Sequence, residues 1–253
     1  MFHPSCGVVL ILGFCQGAST LERMPISFTQ RLQDQLDTIT ANTRELVQPE
    51  RLAITDQAVQ DMLAARLEER ILPLGSHAPA FALQDSSTGK PVRSDDLLAV
   101  GPLVINFFRG WWCPYCIAEL EAWQAAYPRL RERGGLLIAI SPLTKRQNDF
   151  TVQRHDFTYP LLSDPGNKVA ESFGVAYTVP EPMQRHYRSI LVNIPFLNGD
   201  ESWRLPLPAT FVISQSGEIL FSEAHADYRV RPDPQDVMAT LQETEPRIWK
   251  NGE

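Results

Sequence analysis

The chain is poor in cysteine, with four among 253 residues, and that excludes a small domain stapled by disulfides. It also lacks any apolar run approaching the roughly 18 to 20 residues that a membrane-spanning helix needs. Positive charge is in deficit, 23 Lys and Arg against 30 Asp and Glu for a net −7, so phosphate backbones and anionic lipid are repelled and nucleic acid is not an expected partner. Five histidines, scattered, and a single cysteine pair leave too few ligands for a structural zinc site. No metal or organic cofactor is expected. Repeats and low-complexity tracts are also missing. What remains is an ordinary globular composition, 43% apolar and 21% charged, at a length that suits one large or two small domains.

Residues 8–14 form a short apolar stretch. It reads either as the core of a secretory signal, without the usual preceding Lys or Arg, or as part of an over-extended start with translation beginning at Met24. The second reading gives a cytoplasmic protein, the first an exported one. Residues 24–74 read as a helical arm: apolar positions recur at helical spacing through 27–71, a break is expected near Pro49, Thr55 opens the last helix, and Pro73 and Gly75 close it. Such an arm packs on the main domain or on a second subunit, the latter giving a homodimer.

From residue 75 to 253 apolar strands alternate with amphipathic helices, the pattern of an α/β domain with helices covering a sheet. Residues 103–108 (LVINFF) suit a central strand. A helix is expected over 114–133, a strand over 136–140, a helix over 145–155, a short strand over 159–162 and a helix over 168–173. Strands over 209–214 and 218–222 are joined by Gln215, Ser216 and Gly217 as a hairpin, and a last helix runs from about 235 to 242. Residues 179–208 hold several prolines and read as an irregular insertion bordering the site.

The chemistry is concentrated in Arg109-Gly110-Trp111-Trp112-Cys113-Pro114-Tyr115-Cys116, which passes from a strand end into a helix start. Pro114 falls at the first helical position, where its missing N–H costs nothing, and Cys113 falls at the N-cap, where free N–H groups and the helix dipole favour a thiolate. Cys116 lies one turn on, within disulfide reach. One is expected to attack and the other to resolve. Trp111 and Trp112 read as one shield or docking surface and one core residue. Glu119 and Glu121 read as charges that favour the helix start. His155, His186 and His225 read as surface or packing residues, with His186, Arg185 and Arg188 the one cluster suited to an anionic substrate.

The strand, the WCPYC turn and Pro208 before Ala209-Thr210-Phe211-Val212-Ile213 resemble the thioredoxin superfamily, a resemblance that implies a thioredoxin-like fold and a cis-proline at Pro208 facing the reactive cysteine. Gly75-Ser76-His77-Ala78-Pro79-Ala80-Phe81-Ala82-Leu83, Tyr159-Pro160-Leu161-Leu162-Ser163-Asp164-Pro165 and Phe173-Gly174-Val175 resemble the peroxiredoxin-like proteins of the alkyl hydroperoxide reductase and thiol-specific antioxidant group. That resemblance implies a peroxidase in which Cys113 forms a sulfenic acid with a hydroperoxide, Cys116 closes a disulfide, and thioredoxin or a glutathione-type thiol reopens it. Two positions depart from the group: Gly110 stands where Thr or Ser is usual, and Pro208 where Arg is usual. Arg109 is then the nearest candidate to hold peroxide, with Trp112, Pro114, Pro208 and Thr210 as the remaining supports. The alternatives are a thiol:disulfide oxidoreductase and a redox-sensing interaction protein.

Overall fold

The computed structural model describes residues 31–241; the readings of residues 1–23 and of the last helix beyond 241 lie outside them. Helices α1 (Leu32–Leu46) and α2 (Pro49–Ala64) come first, followed by a 3-10 turn at Leu67–Arg70. Pro49 begins α2 at a position where proline is tolerated, and Thr55 lies inside that helix with Oγ1 donating to the Leu52 carbonyl. The expected helix start at Thr55 is corrected accordingly, because a threonine that satisfies its hydroxyl on a preceding carbonyl does not interrupt a helix.

The arm packs on its own domain. Leu32 and Leu36 of α1 are buried with Cys116, Tyr115 and Trp123, while Ala58, Val59 and Met62 of α2 join the other core. Gly174 shows how close the contact is: with φ +76, a Cβ there would lie 2.0 Å from the Arg70 carbonyl oxygen. Only glycine admits that approach.

Strands β1 (Ala82–Asp85) and β2 (Pro91–Arg93) and the short α3 (Ser94–Leu98) lead into β3 (Leu103–Phe107). Next come α4 (Pro114–Glu132), β4 (Leu136–Ser141), α5 (Lys145–His155), β5 (Leu161–Ser163) and α6 (Lys168–Ser172). The 179–208 stretch is more regular than its prolines suggest: β6 (Ala176–Thr178), α7 (Glu181–Ser189), α8 (Ile194–Asn198) and β7 (Arg204–Pro206) occupy it and its border. Pro180, Pro182 and Pro195 sit at an N-cap and in first turns, where they start helices rather than break them, while Pro206 ends β7 and Pro208 precedes the next strand. Strands β8 (Ala209–Ile213) and β9 (Ile219–Ala224) and helix α9 (Pro234–Ala239) complete the chain.

The main sheet has seven strands in the order β2-β1-β5-β4-β3-β8-β9. β3, β4 and β5 are parallel, and the flanking pairs are antiparallel. β3 and β4 are buried throughout, as continuous apolar strands covered on both faces must be. Their side chains alternate between two cores: Leu103, Ile105, Phe107, Ile138 and Ile140 on one face, Val104, Leu137 and Ala139 on the other. On the first face Phe107, Phe173 and Phe211 pack with ring centroids 5.0 to 5.9 Å apart, each pair adding about 0.5–1.5 kcal/mol beyond burial. Among the described residues no helix is long and apolar enough to cross a membrane.

Asp233 joins the two ends of this structure. Its Oδ1 accepts from the Gln235 N–H to cap α9, and its Oδ2 accepts from the Leu32 N–H, 3.0 Å away, at the start of α1. One carboxylate thus satisfies free N–H groups at two helix starts.

Candidate active site

Cys113 is the N-cap of α4 in extended conformation, with Pro114 next and exposed. Both sulfurs are reduced and deeply buried, Cys113 at 2% exposure and Cys116 at 0%. The Cys116 Sγ accepts from the Arg109 backbone N–H at 3.4 Å and from Arg231 Nη2 at 3.7 Å. Burial, and then the hydrogen bond and charge of Cys116, push the Cys113 thiol well above its ordinary value. Burial also opposes ionisation of Cys116, yet the hydrogen bond from Cys113 and the charges of Arg231 and Arg109 hold it well below. The hydrogen-bond donors at the pair converge on Cys116.

Arg109 is 2% exposed. Its guanidinium carbon lies 4.2 Å from the Tyr228 ring centroid, 4.9 Å from that of Trp112 and 5.9 Å from that of Tyr187. Nη2 donates to the Tyr187 hydroxyl, while Nε and Nη1 have no partner. A buried guanidinium in an aromatic cage with two free donors is an unusual expense of desolvation. Those donors are available to an oxygen atom brought near the sulfurs. Burial, opposed in part by Arg109, pushes the Tyr228 phenol up to about 12 and that of Tyr187 well above its ordinary value, so both stay neutral.

Gly110 has φ +149, and a Cβ there would meet Trp112 Nε1 at 2.4 Å. The usual Thr or Ser is therefore sterically incompatible with the Trp112 position seen here. We expect Gly110→Thr to cost about 1–3 kcal/mol and to shift the Trp112 emission, measured by thermal unfolding and steady-state fluorescence. An unchanged melting temperature and spectrum would refute this. Trp111 turns the other way, its Nε1 donating to Gln147 Oε1 at 3.0 Å and its ring packing 5.6 Å from Phe150.

Pro208 needs correction. No cis peptide bond occurs among the described residues, and Pro208 is a buried residue leading into β8, its carbonyl accepting from His225 N–H at 3.3 Å. That bond extends the β8–β9 ladder, which an ordinary trans proline at a strand start permits. Thr210 lies on β8 opposite Asn106 and its Oγ1 accepts from Asn106 Nδ2 at 3.2 Å, so it is linked to Cys116 through Asn106, Glu119 and Arg231.

Glu119 is the largest departure from the sequence reading. It is completely buried, accepts from Asn106 Nδ2 at 2.8 Å and pairs with Arg231 Nη1. Burial raises its carboxyl above the usual value, and Arg231 and Asn106 pull it back. Its signal was in the spacing: position 119 lies three residues beyond Cys116, on the same helix face. Asn106, the one polar residue of β3, was the second clue. Arg231 offered none, because it arrives from 115 residues away. Glu121 pairs with His155 Nδ1 at 3.0 Å. The 185–188 cluster does not assemble as an anion site: Arg185 pairs with Glu181, Arg188 stacks on Trp203, and His186 is held below its ordinary value by burial and Arg51.

The fold has counterparts among known proteins. The chain is 24% identical over 157 residues to the thiol-disulfide oxidoreductase ResA of Bacillus thuringiensis, covering 60% of this chain and 70% of that protein. It is 33% identical over 101 residues to a chloroplastic peroxiredoxin Q of Suaeda salsa, covering 40% of this chain and 46% of that one. The crystal structure of peroxidoxin BcpB from Mycobacterium tuberculosis aligns with a TM-score of 0.53 at 25% identity, covering 67% of this chain and 96% of that one. The seven-stranded mixed sheet flanked by helices is a thioredoxin-like fold of the peroxiredoxin kind. Over residues 74–222, more than half of its length, the chain belongs to the AhpC/TSA family.

Proposed function

We propose that the protein is a thiol-dependent peroxidase. The observation that carries this reading is the 2% exposure of Cys113, together with a buried Arg109 that keeps two free donors and whose charge is felt at Cys113. A sulfur so covered suits a hydroperoxide better than a protein disulfide, which must align three sulfurs in a row. Cys113 as thiolate attacks the terminal oxygen of the hydroperoxide, the O–O bond breaks, and the departing oxygen takes up a proton from solvent and leaves as water or an alcohol. Arg109 donates hydrogen bonds to the developing negative charge on that oxygen. Cys116 then attacks the Cys113 sulfenic acid, expelling water and closing the disulfide. Two electrons have left the dithiol, and two thiols of glutathione type, or one dithiol such as thioredoxin, return them.

A thiol:disulfide oxidoreductase is the second reading, supported by the similarity to ResA. Stopped-flow tryptophan fluorescence separates the two, since Trp111 and Trp112 adjoin Cys113. Mixing the reduced protein with hydrogen peroxide is expected to give a concentration-dependent rate well above that of a free thiolate. A rate no faster than the free thiolate, together with rapid reduction of a protein disulfide, gives the lead to the second reading. A third reading, a redox sensor, requires both rates to be slow and the oligomeric state to change on oxidation.

A further inference from the structure

Two buried amides converge on one carbonyl where the insertion returns to the sheet. Asn167, fully buried ahead of α6, and Asn198, 4% exposed at the end of α8, both donate from Nδ2 to the Arg204 carbonyl, at 3.0 and 3.4 Å. A carbonyl can only accept, so both amides are fixed with Nδ2 toward it, and each Oδ1 is left as an acceptor. Neither Oδ1 has a hydrogen-bond partner, and both are buried. Asp200 supplies a third such oxygen. It follows Asn198 through Gly199 (φ +69), and the N–H groups of Gly199 and Asp200 donate to the Pro195 carbonyl at 2.8 and 3.2 Å, folding the turn back on α8. Asp200 Oδ1 accepts from the Ser202 N–H at 2.6 Å, while Oδ2 is buried without a partner. Arg204, four residues on, gives its guanidinium to Glu171 at 3.0 Å rather than to Asp200.

Three acceptors, one of them charged, call for a positive ligand. A water has two hydrogens, so it leaves one oxygen unmet and the carboxylate charge uncompensated. A hard cation meets all three oxygens. Among the described residues no group of three His, Cys, Asp or Glu stands together, and a set of two amide carbonyls and one carboxylate suits Ca2+ rather than zinc or copper. Mg2+ asks for a stricter octahedron and gives up its water reluctantly. With three protein oxygens and a single carboxylate, the remaining positions fall to water. Affinity then lies at the weak end of protein calcium sites, a Kd of about 10⁻⁴–10⁻³ M.

We propose that Asn167, Asn198 and Asp200 hold one Ca2+, an ion that the count of cysteines and histidines gave no reason to expect. The ion ties the turn between α8 and β7 to the start of α6. The same insertion supplies Tyr187 to Arg109, so the ion braces the element that cages Arg109. The inference is independent of the reaction proposed above.

The test uses the full chain, reduced and stripped of ions with a chelator. Calcium at roughly ten times its Kd is expected to raise the melting temperature by about 3–6 °C, and calorimetric titration to show a single saturable site. Mg2+ or Na+ at the same concentration is expected to raise it less. Asp200→Asn keeps an oxygen for the Ser202 N–H, so the turn persists while the charge is gone; its melting temperature is expected not to respond to calcium. Asn198→Ala removes a neutral oxygen and is expected to weaken binding at least about tenfold, a loss that even the outer partners of metal sites show. Glu201→Gln changes an exposed carboxylate beside the turn and is expected to bind calcium as the parent does. Near-ultraviolet circular dichroism of the ion-free variants reports the fold, and if Asp200→Asn fails it, Asn198→Ala decides. Equal melting temperatures with and without calcium in the parent, or a rise that every salt gives alike, overturns the proposal and leaves these oxygens to water. A calcium response that survives in both Asp200→Asn and Asn198→Ala, or that is lost in Glu201→Gln, puts the ion elsewhere and overturns it too. None of these readings uses a hydroperoxide, so a slow peroxide rate defeats the proposed function without touching this inference.

Discussion

Cys113→Ser lowers peroxide consumption by a factor on the order of 10³ or more, while Cys116→Ser keeps the first reaction and loses every later one. The asymmetry follows from position. Cys113 lies where the chain enters α4, while Cys116 lies one turn deeper with no exposed surface. A serine at 113 removes the nucleophile and leaves the Arg109 cage intact. A serine at 116 lets Cys113 consume one equivalent of hydroperoxide and then stops at the sulfenic acid. Peroxide consumption under an excess of dithiol, with mass analysis of Cys113, reads both results. Continued turnover in Cys116→Ser would remove Cys116 from the cycle and make the external thiol the resolving group.

Arg231→Met is expected to cost about 3–5 kcal/mol of stability, because it strands a carboxylate with no access to water. Glu119 is fully buried and keeps only Asn106 once Arg231 is gone. Glu119→Gln/Arg231→Met removes both charges while the amide oxygen still accepts from Asn106, so most of the loss returns. Urea unfolding of the reduced proteins measures both. A single-variant loss under about 1 kcal/mol would match an exposed ion pair and contradict the buried geometry.

Much of the fold could be read from the sequence where local signals were strong. β3 and β4 were visible as uninterrupted apolar runs, α5 begins and ends where its pattern does, and the Gly217 turn joins β8 to β9 as its composition implied. The placement of Cys113 at the α4 N-cap likewise needed only Pro114 and the preceding strand. The remainder of the site depends on contacts that no local pattern carries. Glu119 shares the Cys116 face of α4 by spacing, but a buried carboxylate there is intelligible only because Arg231 and Asn106 come to meet it. Tyr187 and Tyr228, which cage Arg109, come from the insertion and from the segment after β9. The cis-proline expectation failed for a related reason: resemblance gave the position of Pro208 before a strand, while the peptide geometry is set by how β8 pairs with its neighbours.

The shared cap at Asp233 has a consequence for synthesis on the ribosome. Its bond to Leu32 spans 201 residues, so a nascent chain that has already produced both cysteines lacks Tyr228, Arg231 and the contact that seats α1. Arg231 reaches Cys116, and Tyr228 closes over Arg109, only when nearly the whole polypeptide has emerged, so this site is assembled at the end of synthesis.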